Sequence, residues 1–383
     1  MRKLLTGLGA TALALGVVST PALAEGTVLH ANSASAVPGS YVVKLKATAS
    51  VAALGARFAG VDRVFAGPFH GFSARLGAAQ ARRLAADPAV EYVEQDQVVR
   101  AFAGGAGAFG PTTQDNAPWG LDRIDQRKLP LDTKYSYTTT GRGTTAYVVD
   151  TGIRVTHQEF GGRACNGWDA VDKDDVAQDD NGHGTHVAGL IAGKTYGVAK
   201  QARVCGVRVL NGQGSGTTAG VVAGIDWVAR NAAKPAVANL SLGGGASTAI
   251  DDAVLALVKS GVTASVTAGG SNADAANYSP ARVVEAITSG SSTNTDVKTS
   301  FSNYGKVVDV YAPGQSITSA WHTGDAATNT LSGTSMSTGF VSGVALRYLQ
   351  RNQTATPAQV QAQIVKEATP LPWGALLHWP AAR

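Results

Sequence analysis

Hydrophobic positions change their spacing four times along this chain, and each change marks a different kind of segment. The first 24 residues carry an apolar run from Leu4 to Val18 behind Arg2 and Lys3, closed by the small-residue pattern Ala22-Leu23-Ala24. Residues 25–38 are small and polar and predict an unstructured lead. Over residues 39–100 the apolar stretches are short. Tyr41–Lys46, Gly71–Leu76 and Val90–Asp96 read as strands, and Val51–Phe58 and Gln80–Ala86 as helices, a small α+β unit with a βαββαβ flavour. A Gly/Ala-rich linker follows, Ala101–Gly110, with almost no side chains to pack and so open to proteolysis.

From Asn116 onward the apolar runs become continuous, at Ala146–Val149, Val204–Leu210, Ala236–Leu242, Val262–Thr267, Val283–Thr288 and Val307–Tyr311. Strands of that texture are buried on both faces, as in a parallel sheet. Helical spacing lies between or after them at His183–Lys194, Thr217–Ala232, Ala246–Ser260, Thr334–Gln350 and Pro357–Ala368. The expected fold class is α/β, a doubly wound and mainly parallel sheet flanked by helices, preceded by the small α+β unit. No internal repeat is visible.

Composition narrows the function classes. Hydrophobic residues make up 44% and charged residues 15%, with 46 glycines, which excludes general disorder and fits a compact body with many tight turns. The net charge of +5 is unevenly placed, and residues 106–383 carry 22 Lys and Arg against 21 Asp and Glu. A nearly neutral body gives no support to nucleic-acid binding. The leading apolar run is shorter than the roughly 20 residues of a membrane span. It reads as a cleaved secretory signal, residues 1–24, and the protein is expected outside the cell with no membrane contact. In that oxidising setting Cys165 and Cys205 are expected to form one disulfide, two buried thiols being the alternative.

Three segments carry candidate chemistry. Ala146–Gly152 ends a buried strand on Asp150, where a doubly wound sheet binds its ligands. Asp180-Asn181-Gly182-His183-Gly184-Thr185-His186 opens a small-residue helix on a histidine flanked by glycines, and neutral imidazole is the usual proton acceptor near neutral pH. His183 and His186 could instead face a metal, but the spacing and the intervening glutamate of a zinc-protease helix are missing. Ser332–Leu346 turns into a buried helix with Ser335 at its start. There, unpaired N–H groups and the dipole favour negative charge, as a nucleophile attacking a carbonyl requires. Taken singly, each has an ordinary reading: a turn cap at Asp150, a packed ring at His183, a helix cap at Ser335.

Together the motifs Asp150-Thr151-Gly152, His183-Gly184-Thr185-His186 and Gly333-Thr334-Ser335-Met336 stand in the order and spelling of the subtilisin-family serine proteases. From Asn116 to about Thr369 the chain resembles the secreted proteinase K branch, and residues 39–100 resemble its inhibitory propeptide. The resemblance implies a signal (1–24), a propeptide (25–105) and a catalytic domain (106–383). It implies a secreted serine endopeptidase with protein or peptide substrates, expected as a monomer, with its own propeptide as intramolecular inhibitor and chaperone. Asp150, His183 and Ser335 become the triad, and His186 takes a packing role. Gly214, Ser215 and Gly216 resemble the edge strand that pairs with extended substrate, while Ser241, Leu242 and Gly243 resemble a wall of the specificity pocket. Asp309, with the carbonyls of Val284 and Ala286, matches a structural calcium site. Propeptide removal is expected between about Ala101 and Gln114. The Asp-rich run at Asp169, Asp172, Asp174, Asp175, Asp179 and Asp180 reads as a solvated loop.

The chain also departs from that family. Gly270 stands where an asparagine amide completes the oxyanion hole, with Ser271, Asn272 or a water as candidate replacements. Ser337-Thr338-Gly339-Phe340 replaces the usual Ala-Thr-Pro-His, and the tail from Leu371, with Trp373 and Trp379, is unlike the family's ending. These departures leave a second function class open: a weakly active or inactive relative acting as an esterase, an acyl-transfer enzyme or a peptide-binding decoy.

Overall fold

The computed structural model describes residues 25–31, 33–57, 60–65, 67–101 and 117–380. The expected signal, the linker beyond Ala101 and the expected processing region as far as Gln114 lie outside the described residues, as does Phe58 at the end of an expected helix.

The N-terminal unit comprises β1 (Val28–Leu29), β2 (Ala36–Leu45), α1 (Val51–Gly55), β3 (Val61–Phe65), β4 (Gly71–Arg75), α2 (Ala78–Ala85) and β5 (Val90–Ala101). β3 was not among the expected strands, because Asp62 and Arg63 interrupt its short apolar pattern. β2 pairs antiparallel with both β4 and β5, so the residues of β2 alternate between two cores. Tyr41, Val43 and Leu45 meet Leu54 of α1 and Ala81 and Leu84 of α2. Val42 faces the other way and joins Phe65 and Phe69 against the rest of the molecule.

The larger body begins with α3 (Trp119–Asp125), β6 (Thr145–Asp150), β7 (Ala164–Asp169), α4 (His183–Ala192) and β8 (Arg203–Arg208). It continues through β9 (Ser215–Thr217), α5 (Thr218–Asn231), β10 (Ala236–Leu240), β11 (Leu242–Gly245), α6 (Thr248–Lys259), β12 (Thr263–Thr267) and β13 (Tyr278–Ser279). β14 (Ile287–Ser292), β15 (Val310–Pro313), β16 (Ile317–Ala320), β17 (Thr328–Leu331), α7 (Thr334–Arg351), α8 (Pro357–Glu367), β18 (Thr369–Leu371) and β19 (Gly374–Leu376) complete it. Nine strands form one sheet in the order β18-β19-β15-β14-β12-β10-β6-β8-β7, parallel except at the β18–β19 hairpin. Along β6, Ala146 and Val148 face a core built with α4, α7 and α8, whereas Tyr147 and Val149 face one built with α5 and α6. This is the doubly wound arrangement the continuous apolar runs predict.

Two strands begin later than their apolar residues suggest. Val283–Ala286 is a turn, and β14 starts only at Ile287; likewise Val307 and Val308 precede β15, which starts at Val310. Cys165 and Cys205 sit opposite each other on β7 and β8 and are joined as a disulfide, with Cα atoms 4.5 Å apart. Among the described residues no helix is long and apolar enough to cross a membrane.

The unusual tail is structural. β19 adds to the sheet beside β15, and Trp379, 1% exposed, packs edge-on against Tyr348 of α7 while its backbone N–H donates to Ile124 O. Trp379→Ala therefore empties a large core position and is expected to cost about 3–5 kcal/mol. Urea unfolding would read this as a lower midpoint at unchanged slope, and an unchanged midpoint would contradict the packing role.

Candidate active site

β6 delivers Asp150 to the carboxyl edge of the sheet, fully buried, and Thr151 N–H donates back to its Oδ1 at 2.8 Å. α4 starts against that edge. Gly182 makes the entry possible, since its φ of +112° suits glycine and a Cβ there would collide with Trp321 and His322. Gly184 lets the first turn touch the strand end, because a Cβ would lie 2.2 Å from Gly152 O. The helix thereby sets His183 Nδ1 2.7 Å from Asp150 Oδ1, in a pair almost wholly removed from solvent. Burial disfavours the charged ring, but the Asp150 carboxylate outweighs it and holds the His183 pKa above its usual 6.5. With Nδ1–H given to the carboxylate, Nε2 carries the lone pair, and it makes no hydrogen bond among the described residues.

His186 is turned away from that pair. Its Nε2 donates to the carbonyls of Ile317 (3.0 Å) and Asn329 (3.2 Å), and burial, with the neighbouring His183, pushes its pKa down to about 3. The two rings do not share a ligand position. Among the described residues no three His, Cys, Asp or Glu side chains converge to hold a metal.

Ser335 is the second residue of α7 and is fully buried. It exchanges bonds with Ser241: its Oγ donates to Ser241 O and Ser241 Oγ donates to Ser335 O, both at 3.0 Å. Thr267, at the end of β12, donates through Oγ1 to Thr334 Oγ1 at 2.6 Å, tying the following loop to the turn that carries Ser335. α7 runs unbroken through Gly339, and Phe340 is buried against Gly120 of α3, so the altered motif is absorbed by packing.

The loop after β12 bears the main departure. Asn303 clamps it, donating from Nδ2 to Ala268 O and accepting at Oδ1 from Ser271 and Ala273 N–H. Asn272 turns its amide oxygen to Lys298 Nζ at 3.4 Å. Gly270 is exposed, and a Cβ built on it would meet nothing within 4 Å. The position is open.

The expected substrate strands carry a strand already. The end of β5 pairs antiparallel with β9 on one side, Arg100 opposite Ser215 and Val99 opposite Gly216, and with β11 on the other, Ala101 opposite Leu242 and Arg100 opposite Gly243. Gly214 lies in the preceding turn, with φ +68°. Behind this strand, β5 reaches two helix starts. Glu94 accepts from Ser247 Oγ (2.5 Å) and Ala249 N–H (2.8 Å) at α6, and Asp96 accepts from Ala219 N–H (3.0 Å) at α5. Burial raises both carboxyls, Glu94 to about 7, although the bonds from Ser247 and Ala249 pull the latter down.

Residues 141–378 match the subtilase family, Peptidase S8, and residues 23–102 match the peptidase inhibitor I9 family. The chain belongs to the subtilase family. It is a subtilisin-like serine endopeptidase with an inhibitor-type propeptide. An extracellular serine proteinase of Thermus sp. (strain Rt41A) is 50% identical over 372 residues, covering 90% of this chain and 88% of that one. A cuticle-degrading serine protease of Arthrobotrys oligospora is 42% identical over 89% of this chain and 88% of its own length. The crystal structure of a cold adapted subtilisin-like serine proteinase, 53% identical, superposes with a TM-score of 0.67 over 69% of this chain and 98% of that one.

The oxygens matched to calcium do converge in this subtilase, around a side chain the sequence reading passed over. Gln361 Nε2 of α8 donates to Val284 O at 3.0 Å and to Ala286 O and Asp309 Oδ1 at 3.1 Å.

The Asp-rich run is not uniformly solvated, which corrects that reading. Asp172, Asp174, Asp175 and Asp180 are exposed, but Asp169 is fully buried against Arg208, and Asp179 is 2% exposed. Asp179 Oδ1 accepts from Thr151 Oγ1, Asn181 N–H and Gly182 N–H, and its Oδ2 from Thr185 N–H and Oγ1. It therefore bolts the end of β6 to the start of α4, the two elements that bring Asp150 to His183. The signal for it was local: an aspartate three residues before a glycine that opens a helix. Asp179→Ala strips five donors of their acceptor, and a misplacement of about 1 Å at such a site costs on the order of 10²-fold in rate. The expected outcome is a kcat loss of that size with little change in KM, and full retention of kcat would refute the positioning role.

Proposed function

We propose that this subtilase is a secreted endopeptidase that cleaves extended peptides through an acyl-enzyme on Ser335, slowed by the glycine at position 270. The observation that carries the reading is the buried Asp150–His183 pair, which leaves Nε2 as an unengaged acceptor. In the reaction, rotation about χ1 takes Ser335 Oγ from the Ser241 carbonyl to His183 Nε2. The proton passes to Nε2 as Oγ bonds to the scissile carbon. Asp150 holds Nδ1–H and stabilises the imidazolium, which then gives its proton to the leaving amine. The carbonyl oxygen takes its developing charge at the N-terminus of α7, against the Ser335 N–H. A water, deprotonated by His183 in turn, releases the acyl group. Substrate pairs with Ser215 and Gly216 on one side and Leu242 and Gly243 on the other, as β5 does, with Gly214 turning the chain into the first of these edges and Ser241 closing the pocket wall.

Export rests on the signal-like residues 1–24 and on relatives named as extracellular. The propeptide is read as residues 25–105 and the catalytic domain as 106–383, with β5 lying in the cleft as an intramolecular inhibitor. The chain is read as a monomer.

Gly270 favours the slow form of this enzyme. An asparagine donor at that position contributes about 10²–10³ in kcat, roughly 3–4 kcal/mol, a magnitude that comes from a subtilisin and not from this chain. Asn272 is turned toward Lys298, which counts against it as the replacement. Gly270→Asn fits the open space and is expected to raise peptide turnover by about 10²-fold or more, with a smaller gain on activated esters. If amide turnover stays where it was, the slow-enzyme reading fails. Ser335→Ala is expected to abolish both peptide hydrolysis and fluorophosphonate labelling; a parent chain that takes no label would instead favour a peptide-binding decoy.

The pH dependence follows from the pair. Only the neutral ring accepts a proton, so activity is lost as pH falls through the His183 pKa, which Asp150 holds above 6.5. Asp150→Asn removes the larger support and leaves burial opposed only by the weaker pull of Asp179, so the acid limb moves to lower pH while kcat falls by about 10⁴. A limb that stays in place after the substitution would remove His183 as the titrating base.

A further inference from the structure

The Gln361 contacts lie far along the chain from the catalytic groups and do not depend on how the enzyme works. Two main-chain carbonyls, Val284 and Ala286, and one carboxylate oxygen, Asp309 Oδ1, all lie 3.0–3.1 Å from a single nitrogen, Gln361 Nε2. The other carboxylate oxygen, Oδ2, accepts from Thr288 N–H at 2.8 Å. Oxygens gathered in this way suit a hard cation, which calcium would meet at about 2.3–2.6 Å. An amide nitrogen has only two hydrogens for its three acceptors. It nevertheless sits at the centre where the ion would have to be, so the cradle and a bound calcium cannot coexist without moving Gln361.

We propose that the Gln361 amide is a built-in substitute for a metal ion, locking α8 to the turn before β14 and to Asp309 before β15 without calcium. The local structure supports an organic lock. Gln361 is half-buried on α8, whose N-terminus is fixed by a capping box between Thr356 and Gln359. Val360 and Ile364, on either side of it in the helix, are fully buried in the sheet-facing core. The helix thus presents the amide from a fixed base to two carbonyls of the turn before β14 and to the carboxylate that precedes β15. A helix held this way does not depend on metal supply.

The test uses the full chain carrying Ser335→Ala, so that self-digestion is stopped, and compares thermal midpoints in chelator and in millimolar calcium, with calcium stoichiometry from titration calorimetry. Gln361→Ala is expected to lower the midpoint by about 3–6 °C in chelator. It is also expected to recover most of that loss in calcium and to bind one more calcium per chain than the parent. Gln361→Glu, which keeps the side-chain length should the alanine variant fail to fold, is expected to gain the same extra ion. Adding Asp309→Asn to either variant should remove the gain. The proposal is overturned if neither variant binds an additional calcium, or if Asp309→Asn in the parent, with Gln361 intact, already costs it one.

Discussion

Parallel strands that stop at one edge force their last residues together, and this constraint creates the site. β6, β10 and β12 run in register beside one another. Asp150 therefore ends one strand, Ser241 follows the next and the Ala268–Gly270 loop follows the third. The edge collects polar groups that the buried strands cannot hold. α7 begins there, with Thr334 bonded to Thr267 and Ser335 to Ser241. α4 begins there too, with His183 bonded to Asp150. A helix start brings unpaired N–H donors, so the edge is both crowded with oxygens and ready to stabilise new negative charge.

The same need of helix starts for oxygen explains three carboxylates that otherwise look unrelated. Asp179 serves α4, Asp96 serves α5 and Glu94 serves α6. The first is part of the enzyme body and fixes the start of the helix that carries His183. The other two come from the N-terminal unit, and they orient β5 so that its end runs on between β9 and β11. Capping two helices and filling the cleft are thus one docking event. Burial lifts the Glu94 carboxyl to about 7 despite its donors, so near neutral pH part of this docking is made by a protonated acid.

How much of this the sequence disclosed depended on whether burial follows from composition. The parallel sheet was legible because residues such as Val148 and Val149 are apolar in succession, which only two covered faces explain. The subtilase family was legible from three short motifs, two of which meet as the Asp150–His183 pair. Strand starts at Val283 and Val307 were misread, since an apolar residue in a packed turn looks like one in a strand; Val283 is buried and Val284, its neighbour, is 64% exposed. Asp179 was misread for the converse reason. A carboxylate in an acidic run looks solvated until the fold aims five donors at it. Gln361 gave no signal at all, because nothing in a helix pattern says which residue faces two distant carbonyls.

Gly270 and Gln361 make the sharpest contrast in the molecule, since both are changes of a single amide against a backbone that stays in place. At Gly270 the loop is clamped by Asn303 and tied through Thr267 to the turn that carries Ser335, and the position itself bears no side chain. At Gln361 the oxygens are gathered by turns, and the donor is present where a cation would suit. Neither change needs the sheet to move, because the surrounding hydrogen bonds are made by other groups. A framework closed by backbone and buried carboxylates can therefore lose or gain a functional side chain at its rim with little effect on the fold. Under the two proposals, catalytic strength and metal dependence rest on single residues outside the core, while the strand order within it carries the fold.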